Sequence, residues 1–346
     1  MTEVKEHSTF YSEEGVNEKN TKEVDTLWKH AVYNAKKKDY FDLEKECYLC
    51  TKHEVPLIRF HAFDDYEEVN AFFSTRFGGE STGYLSSLNL GFERGDSLET
   101  VERNYQRICK SAGIHAGNLV LSDQVHDTKV RYVTKEDSCM EQIKKKLKSI
   151  DGLVTDQREI CLATSYADCV PLFFYDPVRH IIASSHSGWR GTVGKIGTKT
   201  IQKMHELFGT MAKDLIVVIG PSICADCYEV SVDVIEEFEK KYTPEQMKEI
   251  AYCSDVPKKK YQLNLWKANE LQFLDAGVKK ENIHLSGLCT CCNPKLLYSH
   301  RASKGKRGNL NGFAHLDKAY EDGIFDAIYT TNLCYCPKDL RKTLLS

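Results

Sequence analysis

Three side chains stand out for the chemistry they could do together: His126, in Gln124-Val125-His126; Cys169, after Asp168; and His186, before Ser187-Gly188-Trp189. The last two share the stretch 163–191, ATSYADCVPLFFYDPVRHIIASSHSGWRG, which reads as strand, turn, strand, turn and a glycine-rich start of a helix. Each of the three falls where a strand ends or turns, where a rigid scaffold aims a side chain into a site. Two imidazoles and a thiolate are a good donor set for zinc, and three protein ligands leave the fourth position of a catalytic zinc open. The intervals of 43 and 17 residues do not fit a compact finger. The same trio permits other readings. Cys169 and His186 could be a nucleophile and its base, as in a thiol hydrolase or deamidase. Two histidines and a cysteine also suit a copper electron-transfer centre. The plainest alternative is packing, with the cysteine a small buried hydrophobe and the histidines satisfied hydrogen bonders.

Arg76 and Arg190 are candidate anion holders, because a guanidinium offers a planar fork of donors and stays charged. Arg190 stands in a glycine turn, 188–192, that leads into a helix whose free amides and dipole favour an anion. Asn89 and Gln124 are candidates for hydrogen bonds to a base or sugar. A surface ion pair or a structural bond is the alternative for each of the four.

The elements that must position these residues can be read from periodicity. Short apolar runs at 57–60, 71–76, 119–121, 129–134, 152–155, 160–164, 172–175, 181–184 and 215–219 read as strands bounded by turn residues. Residues 96–112 read as a helix capped by Asp96 or Ser97, with Val101, Tyr105 and Ile108 on one face. Further helices are expected at 193–207, 232–241 and 265–276. Residues 22–37 form an amphipathic helix capped by Thr21, in an accessory extension. The lysine-rich stretch 141–148 reads as a solvated insertion or short helix, 304–307 as a basic loop, and the end of the chain as a polar tail. Strands interleaved with helices argue for a mixed α and β domain.

At 346 residues the chain can bury a full core. It is 41% hydrophobic and 28% charged, as soluble globular proteins are, and its net charge of -3 offers no basic field for a nucleic-acid partner. No apolar run reaches the ~20 residues of a membrane span. The N-terminus lacks a signal-peptide pattern, so a cytoplasmic location is expected. Fourteen cysteines include three C-x-x-C pairs, Cys47/Cys50, Cys224/Cys227 and Cys289/Cys292. Two pairs could make a four-thiolate zinc site, but their separation is too long for a compact ribbon, and isolated free thiols are expected.

Taken together, the motifs resemble the laccase-domain, or polyphenol oxidase, family, whose members look like zinc-dependent purine nucleoside phosphorylases. The matching pieces are Ser74-Thr75-Arg76 with Gly78-Gly79, Ser87-Leu88-Asn89-Leu90-Gly91, Gln124-Val125-His126 and Asp151-Gly152. Ala167-Asp168-Cys169-Val170-Pro171, His186-Ser187-Gly188-Trp189-Arg190-Gly191 and Gly220-Pro221-Ser222-Ile223 with Cys227-Tyr228-Glu229-Val230 follow. Leu265-Trp266-Lys267-Ala268-Asn269, Cys289-Thr290 and Tyr298-Ser299-His300-Arg301 complete the order. The resemblance implies an α+β fold, a single layered α/β/β/α-type domain with mixed sheets, over 55–335, with an N-terminal extension, 1–54, and a tail, 336–346. It implies a metal on His126, Cys169 and His186, zinc or, by the family's older name, copper. The implied reactions are phosphorolysis of adenosine, inosine and guanosine, cleavage of methylthioadenosine, and adenosine deamination. The partners are then purine nucleosides and phosphate, with Arg76, Asn89, Gln124 and Arg190 as substrate-binding candidates; the oligomeric state is left open. The twelve histidines contain no H-x-H pair, which speaks against copper oxidation of phenols. The chain departs from the family pattern in its first fifty residues, in an insertion at 138–149, and at Arg307-Gly308-Asn309, where a Gly-Arg pair is expected.

Overall fold

The computed structural model describes residues 14–37, 43–138, 146–255, 257 and 259–317. The chain opens with helices α1 (Glu14–Lys37) and α2 (Leu43–Glu46), strands β1 (Cys47–Cys50), β2 (Leu57–Phe60) and β3 (Val69–Ser74), and helix α3 (Leu98–Ala112). Strands β4 (Leu119–Asp123), β5 (Val130–Tyr132), β6 (Lys146–Lys148), β7 (Gly152–Thr155), β8 (Cys161–Tyr166), β9 (Val170–Asp176) and β10 (Ile181–Ser187) follow. After helices α4 (Trp189–Val193) and α5 (Ile196–Phe208) come β11 (Ile216–Ile219), β12 (Glu229–Ser231), α6 (Val232–Glu239) and α7 (Pro244–Ile250). The described chain ends with the hairpin β13 (Ala251–Asp255) and β14 (Lys260–Leu263), then α8 (Leu265–Asp275), β15 (Ile283–Leu285), α9 (His300–Ser303) and β16 (Leu310–Leu316).

Two large sheets run in the orders β1-β2-β3-β16-β8-β4-β6 and β15-β11-β9-β10-β7-β5, and a small one in the order β12-β14-β13. Alternate side chains of the central strands serve different cores, as a period of two dictates. Phe72 in β3 and Cys161 and Ala163 in β8 pack with Val101, Tyr105 and Ile108 of α3. Phe73, Leu162 and Tyr166 point the other way and meet Phe173 and Tyr175 of β9 between the sheets. Leu172 and Phe174 face outward again, onto Ile201 and Met204 of α5 and Phe273 of α8. The layers are therefore helix, sheet, sheet, helix, as the resemblance implied. Ser97 caps α3, its Oγ accepting from the Thr100 amide, and Gly113 ends it at φ +72°.

Several elements differ from the sequence reading. Strand β16, where the sequence reading names no element, lies at the centre of the seven-stranded sheet, antiparallel to both β3 and β8. Residues 146–148 are not helical but pair in parallel with β4. Helix α1 starts at Glu14, so Thr21 lies inside it rather than at its cap. Val24 and Ala31 of that helix are buried, and Leu27 and Trp28 pack against the cluster between the sheets. Strand β1 adds an edge to the same sheet through Cys47↔Phe60 and Cys50↔Leu57. Cys50 is disulfide-bonded, against the expectation of free thiols. The tail 336–346 lies outside the described residues. Among the described residues no helix is long and apolar enough to cross a membrane.

Candidate metal centre

Three crossings between the large sheets build the site. The chain passes from β4 to β5 through 124–129, from β6 to β7 through 149–151, and from β8 to β9 through 167–169. His126, Asp151 and Cys169 sit on these crossings. His186, near the end of β10, joins them because β10 pairs with β9 (His186↔Pro171) on one side and β7 (Ser185↔Gly152) on the other. The ligand atoms of His126, Cys169 and His186 all lie within 4.8 Å of one another; His126 is exposed, Cys169 half-buried and His186 buried. His126 Nε2 is 3.8 Å from Cys169 Sγ, and the two imidazoles meet edge to face with centroids 4.8 Å apart.

Asp151, fully buried, organises this trio. Its Oδ1 accepts from the His126 amide and lies 3.0 Å from His186 Nδ1; its Oδ2 accepts from the amides of Val125 and Asp127 at 3.0 and 3.1 Å. Three consecutive amides wrapped on one carboxylate hold His126 at φ +64°, a left-handed conformation uncommon outside glycine. With Nδ1 engaged, His186 has Nε2 left for a metal, the arrangement in which a carboxylate fixes the tautomer of a ligand. Burial alone would raise the Asp151 carboxyl, but the bonds from His186, Val125 and Asp127 outweigh it and hold it below the usual range. Gly188 closes the site by lacking a side chain: a methyl there would lie 2.8 Å from His126 Cδ2 and 3.1 Å from Cys169 Sγ.

The electrostatics favour a cation. Burial would raise the Cys169 thiol, but His186 and His126 beside it bring it down to about 6, so the thiolate is the favoured form. Burial would lower His186, but the Cys169 thiolate and Asp151 push it up to about 9. Without a metal the thiolate and the His186 imidazolium thus form an ion pair, in which the proton stands where a cation could bind. Two imidazole nitrogens, one thiolate, a carboxylate behind one imidazole and an open side fit a three-ligand metal site.

The open side is a cavity of about 390 Å³. Gln124, His126, Cys169 and His186 line one part of it, and Phe92, Arg94, Tyr228, His300, Arg301 and Arg307 line others. Gln124 donates to the Ser165 carbonyl at 2.8 Å and accepts from the Ser165 amide at 2.9 Å, which ties the His126 loop to β8.

The other three sequence candidates, Arg76, Asn89 and Arg190, do not line this cavity. The Arg76 guanidinium spends its donors on backbone carbonyls, with Nε and Nη2 on Ser86 O at 2.9 and 2.8 Å and Nη1 on Pro294 O at 2.7 Å, and stacks on the Tyr298 ring. It ties these loops together with three of its five N–H groups. Asn89 is buried, and its Oδ1 accepts from the amides of Gly91 and Asn309 at 2.9 and 3.0 Å. It positions Asn309, which does line the cavity. Arg190 is exposed and stacks on Trp189.

The cationic wall comes from residues that the sequence reading gave no role. Arg307 Nε is buried and has no hydrogen-bond partner, while its Nη1 bonds Asn309 Oδ1. Burial and the like charge of the nearby Arg94 lower the Arg307 guanidinium to about 10. Arg94 bonds the same Asn309 Oδ1 through Nε at 3.1 Å. Burial and Arg307 likewise hold His300 below its ordinary value. Asp151 was legible only as a member of an Asp-Gly motif, His300 and Arg301 as part of Tyr298-Ser299-His300-Arg301, and Arg307 as part of a basic loop.

Residues 70–317 match a family model described as multi-copper polyphenol oxidoreductase laccase. A Bacillus subtilis protein named purine nucleoside phosphorylase YlmD is 36% identical over 255 residues, which span 73% of this chain and 90% of that protein. The crystal structure of the Bacillus licheniformis hypothetical protein YfiH superposes with a TM-score of 0.72 at 30% identity, covering 78% of this chain and 99% of that one. That of YlmD from Geobacillus stearothermophilus gives 0.71 at 32% identity, covering 76% and 96%.

Proposed function

Because the chain belongs to the multi-copper polyphenol oxidoreductase laccase family, in which relatives carry the name purine nucleoside phosphorylase, we propose that it cleaves purine nucleosides with phosphate. The observation that carries this reading is one cavity with a metal-ligand trio on one wall and, on another, the unpaired Arg307 Nε–H beside Arg94. Adenosine, inosine and guanosine are the substrates, methylthioadenosine is cleaved in the same way, and adenosine is also deaminated.

His126, Cys169 and His186 hold zinc in this proposal, and zinc there supplies Lewis-acid polarisation of an oxygen. Two imidazoles, one thiolate and an open position match the donor set of a catalytic zinc. Arg307 and Arg94 bind and orient phosphate. One phosphate oxygen forms the bond to the sugar anomeric carbon as the N-glycosidic bond breaks, and that bond's electron pair passes to the purine. Burial raises the Tyr228 hydroxyl, so it stays protonated and offers the base a donor. Asp168 is a positioning residue: its Oδ1 accepts from Thr290 Oγ1 and its Oδ2 from the Arg301 amide, each at 2.7 Å, which fixes the turn that carries Cys169.

The test is to incubate the metal-loaded protein with inosine and phosphate and to follow hypoxanthine and ribose 1-phosphate. Base release that depends on phosphate is expected; its absence overturns the reading. The lowered Cys169 thiol is also what a thiol hydrolase would need. In that case chelation would leave activity intact, whereas on the phosphorylase reading it should abolish it.

A further inference from the structure

The cysteine pairs expected to remain isolated come together. Cys224 and Cys227 follow β11, Cys289 and Cys292 follow β15, and these two strands are parallel neighbours with Ile219 opposite Leu285. Their C-terminal ends therefore lie side by side, and an isolated parallel bridge, Ser222↔Cys289, carries the pairing beyond them. The intervening helices and hairpin loop out without affecting this juxtaposition.

The four sulfurs lie within 4.8 Å of one another. Cys227 Sγ is 3.5 Å and Cys224 Sγ 4.0 Å from Cys292 Sγ. A disulfide needs about 2.05 Å. A tetrahedron of thiolates at about 2.3 Å from a zinc ion has sulfurs about 3.8 Å apart, close to what is seen. The amides of Cys224 and Cys292 both donate to Cys289 Sγ, at 3.3 and 3.4 Å, so backbone donors already face a sulfur that would carry negative charge. Cys224 and Cys289 are buried and the other two half-buried, which closes the cluster as a structural site requires. Cys291, between the last two, is not part of it.

We propose that Cys224, Cys227, Cys289 and Cys292 bind a second metal ion, a structural zinc held by four thiolates. It clamps the loop that carries Ile223 and Tyr228 to the loop that leads to His300 and Arg301, all four of which line the cavity. The clamp reaches the first site through Asp168, whose backbone carbonyl accepts from the Ile223 amide at 3.0 Å and whose carboxylate accepts from Thr290. The two clusters share no ligand, and the proposal is independent of the reaction catalysed.

The experiment uses the full chain, purified without chelator, and a His126→Ala/His186→Ala variant whose fold is checked by circular dichroism. Wild type should hold two zinc ions per chain and the variant one. X-ray absorption at the zinc edge of the variant should show a shell of four sulfurs at about 2.3 Å. Cobalt substituted into it should give the strong visible bands of a tetrahedral thiolate site. A folded variant without zinc, a shell of nitrogen or oxygen, or disulfides among these four cysteines overturns the proposal. If the variant fails to fold, the wild-type zinc edge still decides: a mainly sulfur shell supports the second site, and a mainly nitrogen and oxygen shell refutes it.

Discussion

Asp151 is the residue on which the ordering of the His126, Cys169 and His186 trio depends, and Asp151→Asn removes one charge without changing its size. The carboxylate serves four hydrogen-bonding groups, two on each oxygen. An amide can serve only one of those pairs as acceptor. If its NH2 turns toward Val125 and Asp127, two bonds to a charged acceptor are lost, each worth about 1.5–3 kcal/mol, so ~3–6 kcal/mol of stability goes. If it turns toward His186, it must donate to Nδ1; the imidazole proton then moves to Nε2, the atom a metal needs, and the His126 amide loses its acceptor. Either way the metal suffers, by the 10–100-fold in affinity typical of losing a carboxylate behind a ligating histidine. The measurements are urea unfolding of the metal-free protein and chelator competition for the zinc equivalent that His126→Ala removes. A variant whose stability lies within about 0.5 kcal/mol of wild type and whose metal affinity is unchanged would refute the role given to Asp151.

Arg307→Met should raise the KM for phosphate by about tenfold or more, the equivalent of ~1.4 kcal/mol, with metal content unchanged. Arg76→Met should instead lower Tm and leave that KM alone, since its donors face Ser86 and Pro294 carbonyls; steady-state kinetics with varied phosphate separates the two. Gly188→Ala should weaken metal binding without unfolding the chain, because its methyl would press on His126 and Cys169; zinc analysis after dialysis checks this. Glu68 gives a pH test. Burial would raise its carboxyl, but bonds from Tyr175, His180 and Arg158 hold it below the usual value. Its contribution to stability is therefore complete above about pH 4.3 and is lost as pH falls through the lower folded value. Urea unfolding between neutral and acid pH should fall less steeply in Glu68→Gln than in wild type.

Strands buried on both faces, such as β9, were legible because Val170–Asp176 is a nearly unbroken apolar run. Strand β16 is buried just as fully but reads LNGFAHL, and its polar residues look like a loop. In the fold each is satisfied by a neighbour. The Asn311 Nδ2 donates to Tyr105 OH, its amide donates to Ser74 Oγ, and the His315 Nδ1 lies 2.9 Å from the Ile160 carbonyl. Gly312 faces Phe173, where a methyl would come within 2.7 Å of the ring. Hydrophobic periodicity does not register a strand whose polar groups find partners only after the sheet has formed. The same limit hid the cationic wall. Arg76 stood in a motif and Arg307 in a loop outside the expected pattern, but which guanidinium keeps a donor for a ligand depends on carbonyls distant in sequence.

Both candidate metal clusters follow from one topological rule that linear spacing obscures. Parallel neighbours present their C-terminal ends on the same side whatever the length of chain between them. Strands β4 and β8 are such a pair, with Leu121 opposite Ala163. Extended past the strand ends, that register brings His126 level with Asp168, one residue from Cys169. Strands β11 and β15 are another, with Ile219 opposite Leu285. Past the strand ends the pairing continues, shifted by one residue, in the bridge Ser222↔Cys289, which sets one cysteine of the second pair beside the loop that carries the first. A separation of more than sixty residues between the two C-x-x-C pairs argued against a shared metal only on the assumption of a local ribbon. Once two strands are known to be parallel and adjacent, short ligand motifs just beyond their ends are neighbours, and that holds for the imidazole–thiolate trio as much as for the four thiolates.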